Sequence, residues 1–144
     1  EPIKTTVSSL HSGVARESLG PGGLVAIGTS LDPAMTKSDS LLGNVIGKPG
    51  TLPPVWEKFS IEANLLERVV GTKNIQDMSE LKTKEPLMIT VGTRTTVGIP
   101  ITVKENIVDI NLTIPVCAPV GQRIALSRRV DGKWHLIGYG IIKE

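Results

Sequence analysis

Residues 108–114 read Val-Asp-Ile-Asn-Leu-Thr-Ile, an aliphatic side chain at every second position and a polar one between. Successive side chains of a strand point to opposite faces, so period two sends Val108, Ile110, Leu112 and Ile114 to a core and Asp109, Asn111 and Thr113 to water. A helix would scatter both sets around its circumference. Short apolar or β-branched runs also occupy 3–10, 24–28, 41–46, 59–68, 87–91, 97–103, 123–130 and 134–142, with Gly, Pro and Asn between them. Such spacing predicts an all-β barrel or sandwich. Asp131-Gly132 between the last two runs is a hairpin signal, because a two-residue turn needs positive φ there. Helical signal is weak: 74–84 reads equally as a short helix or a polar loop. Asp32-Pro33 opens a turn or short helix inside an ordered loop at 31–39.

One segment breaks the strand pattern. Residues 47–56 read Gly-Lys-Pro-Gly-Thr-Leu-Pro-Pro-Val-Trp. Proline fixes φ and lacks an N–H, so Pro49, Pro53 and Pro54 cannot sit in a central strand, and each drives the preceding residue towards extended geometry. The segment therefore reads as a stiff connector between two antiparallel β-barrel modules in tandem. The boundaries expected are 1–50 for a first, partial barrel and 51–144 for a second, with Trp56 packing at the start of the latter.

Composition narrows the chemistry. Two Trp, one Tyr and one Phe are too few for a platform that stacks successive bases of a single strand. A net charge of +2 leaves any nucleic-acid contact to local clusters. Cys117 is the only cysteine, which fits a reducing, cytoplasmic setting and a small buried apolar role. With His11 and His135 far apart, no metal-ligand spacing exists. No apolar run approaches the ~20 residues of a membrane-spanning helix. Gly20–Gly23 lacks the Lys-Ser/Thr and helix of a phosphate-binding loop and reads as a hairpin turn. No nucleophile, histidine and carboxylate form a recognisable set, so no catalytic residue is assigned. The charge cluster that stands out is Arg123, Arg128, Arg129 and Lys133 around the Asp-Gly turn. Arg128 and Arg129 are consecutive and must face opposite ways on a strand. Three uses are open: charged protection of a hairpin, an RNA-facing patch, or a protein contact.

Four blocks in order carry a resemblance: 21–33 (Pro-Gly-Gly-Leu-Val-Ala-Ile-Gly-Thr-Ser-Leu-Asp-Pro), 45–56, 65–71 (Leu-Leu-Glu-Arg-Val-Val-Gly), and 124–129 (Ile-Ala-Leu-Ser-Arg-Arg) followed by Trp-His-Leu-Ile-Gly-Tyr-Gly at 134–140. Together they resemble the gamma subunit of archaeal and eukaryotic translation initiation factor 2, with a connector of archaeal type. That family resembles elongation factor Tu: a GTP-binding domain followed by two β-barrels. The resemblance implies the end of the second domain and the whole third domain. The opening of the chain into a strand-like run suggests a piece of a longer polypeptide, with the GTPase domain, its GTP and its Mg, lying outside.

The resemblance alone implies the partners: the alpha and beta subunits, initiator methionyl-tRNA and the small ribosomal subunit. On the same ground Leu31, Asp32, Pro33, Met35 and Lys37 are candidates for docking the alpha subunit. Lys48, Arg128, Arg129 and Lys133 are candidates for facing RNA. A barrel that only braces a translational GTPase is one alternative, and the equivalent part of a selenocysteine-type elongation factor is another.

Overall fold

The computed structural model describes residues 2–66 and 80–144. Most of the 74–84 segment and the end of the 59–68 run lie outside the described residues. The chain divides into two compact units, Glu1–Leu41 and Leu42–Glu144.

The first unit is a three-stranded antiparallel sheet in the order β2-β1-β3, with β1 at Val7–Ser12, β2 at Val14–Arg16 and β3 at Ala26–Thr29. The segment at 20–23 is not the predicted hairpin turn. Both β2 and β3 pair with β1, so this segment carries the chain past β1 from one flank to the other. No described residue of this unit is fully buried. One helical turn, α1 at Pro33–Thr36, follows β3. Asp32 precedes it and its carboxylate accepts from the Ala34 N–H at 2.9 Å, as an N-cap does. The Ser40 hydroxyl donates to the Met35 carbonyl and closes the loop.

In the second unit the run at 41–46, predicted as a strand, is turn and coil. Gly43 takes φ +78° and the Arg94 side chain lies against it, while Arg94 Nη1 donates to the Leu42 carbonyl at 2.7 Å. Positive φ is incompatible with a strand, and the arginine fixes the turn in place. A closed antiparallel barrel comes next: β4 (Val55–Leu65), β5 (Leu87–Val91), β6 (Arg94–Lys104), β7 (Ile107–Cys117), β8 (Arg123–Val130) and β9 (Lys133–Ile142). Its order is β4-β7-β6-β5-β8-β9, and β9 returns to β4. The all-β, antiparallel barrel architecture is as predicted.

Strand β4 starts four residues earlier than predicted, directly after Pro53-Pro54. A proline cannot donate but its carbonyl still accepts, and Pro54 takes a bond from the Ala118 N–H at 3.1 Å. Trp56 packs against the core and its indole N–H donates to the Ala118 carbonyl at 2.8 Å. Cys117 is half-buried, not the fully buried small residue predicted, and its thiol donates to the Pro53 carbonyl at 3.3 Å. These bonds lace the connector and the start of β4 to the end of β7.

The core gathers Phe59, Ile61, Leu87, Ile89, Ile110 and Ile137 with their neighbours. A glycine sits in the middle of β6 because Ile89 and Ile110 close over it: a β-carbon at Gly98 would lie 2.2 Å from Ile89 Cδ1. The Asp131-Gly132 turn has φ of 51° and 78°, the pair of positive values its sequence requires.

The alternation in β7 holds for Val108 and Ile110, weakens at Leu112 and fails at Ile114, which is 41% exposed. The cause is a register shift: Lys58 pairs with Asn111, yet Trp56 pairs with Val116. The intervening β7 residues lose β4 as a partner. Thr96, in β6, replaces it at Ile114. Its hydroxyl accepts from the Ile114 N–H at 3.0 Å and donates to the Ile114 carbonyl at 3.1 Å.

Candidate functional site

The β8–β9 ladder shifts where Leu126 pairs with Gly138 and Ser127 with Leu136: the extra residue is Ile137 of β9, and β8 keeps its strict alternation against β5. Arg128 follows Ile124 and Leu126 at every second position and pairs with Leu87, a core residue, so it stands on the inward face at one end of the barrel. There it meets Glu85. Nε donates to Oε1 at 2.5 Å and Nη2 to Oε2 at 3.1 Å, a two-pronged pairing that matches the guanidinium fork to the carboxylate. Nη2 also donates to the Glu80 carbonyl at 3.3 Å.

Arg129 points the other way. It is exposed and pairs across the strands with Trp134, while exposed Lys133 pairs with Val130 beside the turn. Among the described residues no hydrogen bond or ion pair engages the side chain of Arg129 or Lys133. Arg123 is not gathered with them; it lies at the far end of β8, with its guanidinium 4.5 Å from the centre of the Tyr139 ring. The cluster read from the sequence thus divides into an internal ion pair, a cation–π pair and two solvent-facing cations.

Beside Arg129 the outer wall carries a feature that the sequence did not announce. Met88 pairs with both Val97 and Ser127, and Ser127 pairs with Leu136, so these side chains form one row across four strands. Where β7 lifts away, Met88, Val97, Ile114, Trp134 and the threonines Thr95 and Thr113 line a groove of about 190 Å³. Trp134 is 37% exposed and Leu136 42%. Only the cross-strand register reveals the row and its groove, because the row comes from β5, β6, β8 and β9 and the groove adds Thr113 and Ile114 of β7. An open hollow of about 400 Å³ at the β6–β7 hairpin has Lys104 set among Glu105 and Asp109, so its charges only partly offset and it offers an anion no net attraction.

The remaining candidates lie elsewhere. Asp32, Pro33, Met35 and Lys37 are exposed on and around α1, and Leu31 is half-buried at its start. Lys48 is exposed; its carbonyl accepts from the Thr51 N–H at 3.1 Å and from the Thr51 hydroxyl at 2.8 Å, forming a turn within the connector. Among the described residues no three His, Cys, Asp or Glu side chains converge as metal ligands, and no helix is long and apolar enough to cross a membrane.

Residues 57–142, which cover nearly all of the barrel, match the family described as "Initiation factor eIF2 gamma, C terminal". The chain is 57% identical, over 97% of its length, to translation initiation factor 2 subunit gamma of Methanothermobacter thermautotrophicus. It is 50% identical to the proteins of the same name from Methanocaldococcus jannaschii, over 99% of its length, and Thermococcus kodakarensis, over 100%. It spans only 36%, 35% and 35% of the length of these relatives. With nearly all of its closed barrel inside one family match, the chain belongs to the gamma-subunit family of translation initiation factor 2.

Proposed function

We propose that this chain is the barrel-bearing C-terminal part of an initiation factor 2 gamma subunit that, with GTP and the alpha and beta subunits, brings initiator methionyl-tRNA to the small ribosomal subunit in the cytoplasm. Family membership over residues 57–142 is the observation that carries this reading. The chain's share is binding, not GTP hydrolysis. Its residues do not fit GTP and Mg: no G-x-x-x-x-G-K-[ST] loop occurs in the sequence, and no group of three or more His, Cys, Asp or Glu side chains able to hold a metal occurs among the described residues. Both belong to the G domain of the parent factor.

Within that role, solvent-facing Lys48, Arg129 and Lys133 supply charge towards RNA. Arg128 contributes as a brace, because Glu85 already occupies its fork. The loop around α1 is the docking element for the alpha subunit, with Leu31 and Met35 as apolar contacts and Lys37 as the charge. Reconstitution of the parent factor tests the reading. Changing Arg129 and Lys133 to Ala should weaken its binding to initiator tRNA or the small subunit and flatten the salt dependence. Unchanged affinity and slope would leave only the bracing role.

A further inference from the structure

We infer that the groove beside Trp134 receives a single unpaired nucleobase of an RNA partner, stacked on the indole and held by phosphate contacts to Arg129 and Lys133. This rests on the reading that the hairpin faces RNA, and it names the part of the RNA recognised. The barrel is closed, and its one opening beside the groove, β7 between Asn111 and Val116, is four residues long with the Ile114 backbone already bonded to Thr96. That edge is too short for an extended peptide to add as a strand. Recognition on this wall must go through side chains. The side chains present are a largely apolar floor of Met88, Val97 and Ile114, one half-exposed indole, an arginine directly across from it with no side-chain partner among the described residues, and two exposed threonine hydroxyls. An aromatic face with an adjacent guanidinium is how proteins hold unstacked bases, and hydroxyls both donate to and accept from a base edge. The volume of about 190 Å³ is room for roughly six waters, the scale of one flat heterocycle and not of a stacked series. The scarcity of aromatics, which excludes a multi-base platform, is compatible with a single stacking position.

The occupant must be unpaired, because a base inside a duplex offers no free face. Loops, bulges and single-stranded ends qualify; a blunt duplex does not. The phosphate on one side of that base falls to Arg129, which shares the face of Trp134. Lys133 starts from the opposite face of β9 and reaches the other phosphate only round the tip of the hairpin, on its long flexible stem.

The test is binding of the full chain, at fixed salt, to a fluorescein-labelled RNA stem-loop and to a blunt duplex of the same stem. The stem-loop should bind more tightly and quench the indole emission. Trp134→Leu, which keeps apolar bulk and removes the π face, should weaken stem-loop binding by about 5- to 100-fold and leave the duplex unaffected. Trp134→Phe should lose less, and thermal unfolding of both variants reports whether the barrel is intact. If either variant fails to fold, the other decides by the same ratio. Equal binding of loop and duplex, indifferent to Trp134→Leu but weakened by Arg129→Ala and Lys133→Ala, would overturn the stacking and preserve the RNA-facing hairpin. Absence of binding to either RNA, with the indole quenched by a Leu- and Glu-rich peptide, would overturn both and make the groove a protein-docking site.

Discussion

Arg128 and Glu85, 43 residues apart in sequence, face each other across the end of the barrel with Nε 2.5 Å from Oε1. The arginine side chain is 12% exposed and the glutamate 24%, so solvent screens the pair only partly. Removing one partner leaves a charge in a poorly solvated place. Arg128→Ala should cost about 1–3 kcal/mol, and Arg128→Lys should restore the charge without the fork and recover part of it. Urea denaturation measures both. RNA affinity corrected for the folded fraction should not move.

Thr96 is 3% exposed and satisfies two backbone groups of Ile114. Thr96→Val keeps the shape and loses both bonds. A loss of about 1–3 kcal/mol is expected, with faster hydrogen exchange at the Ile114 amide. Thr96→Ser should keep both bonds and exchange slowly.

Gly138 lies where β9 crosses β4. A β-carbon there would fall 2.3 Å from the Asn64 carbonyl oxygen and 2.9 Å from Leu65 Cα. Backbone cannot swing aside as a flexible side chain can, so Gly138→Ala should destabilise the barrel by at least about 1–3 kcal/mol. A melting midpoint equal to that of the parent chain would contradict this packing.

For the alpha subunit, Asp32 is a poor place to test docking, because its carboxylate caps α1. Asp32→Ala should loosen the turn by about 1 kcal/mol whatever binds there. Met35→Ser and Lys37→Glu leave the cap intact and should reduce capture of the alpha subunit in a pull-down. Undiminished capture by both would remove this loop from the interface.

Each solvent-facing cation that meets a phosphate should contribute about one unit to the slope of log affinity against log salt. Arg129→Ala and Lys133→Ala should each flatten it by about that amount in tRNA binding by the parent factor. Arg128→Ala should leave it unchanged.

The strands and the Asp-Gly turn were legible because local chemistry specifies them: alternation in β7, and a glycine with positive φ at the turn. The run at 41–46 misled because its apolar residues resemble a strand, while the decision is made by a positive φ at Gly43 and by Arg94, about fifty residues away. Ile114 misled for a related reason, since its exposure arises from a register shift against β4. Of the site, the opposite facing of Arg128 and Arg129 is fixed by strand geometry alone. That Arg128 would be the engaged one depended on Glu85, and the groove depended on strands meeting in register. Long-range pairing leaves no local trace.

Barrel closure also has a temporal meaning. Ile61 in the first strand pairs with Ile142 in the last. At synthesis rates of about 5–20 residues per second, roughly 80 residues must come after Ile61, so β4 waits several seconds or more for that neighbour. In that interval β4 can pair with β7 alone, leaving its other edge open to wrong partners. Folding of this unit is thus governed by when its last strand arrives, and the non-local pairing sets a slow clock for it.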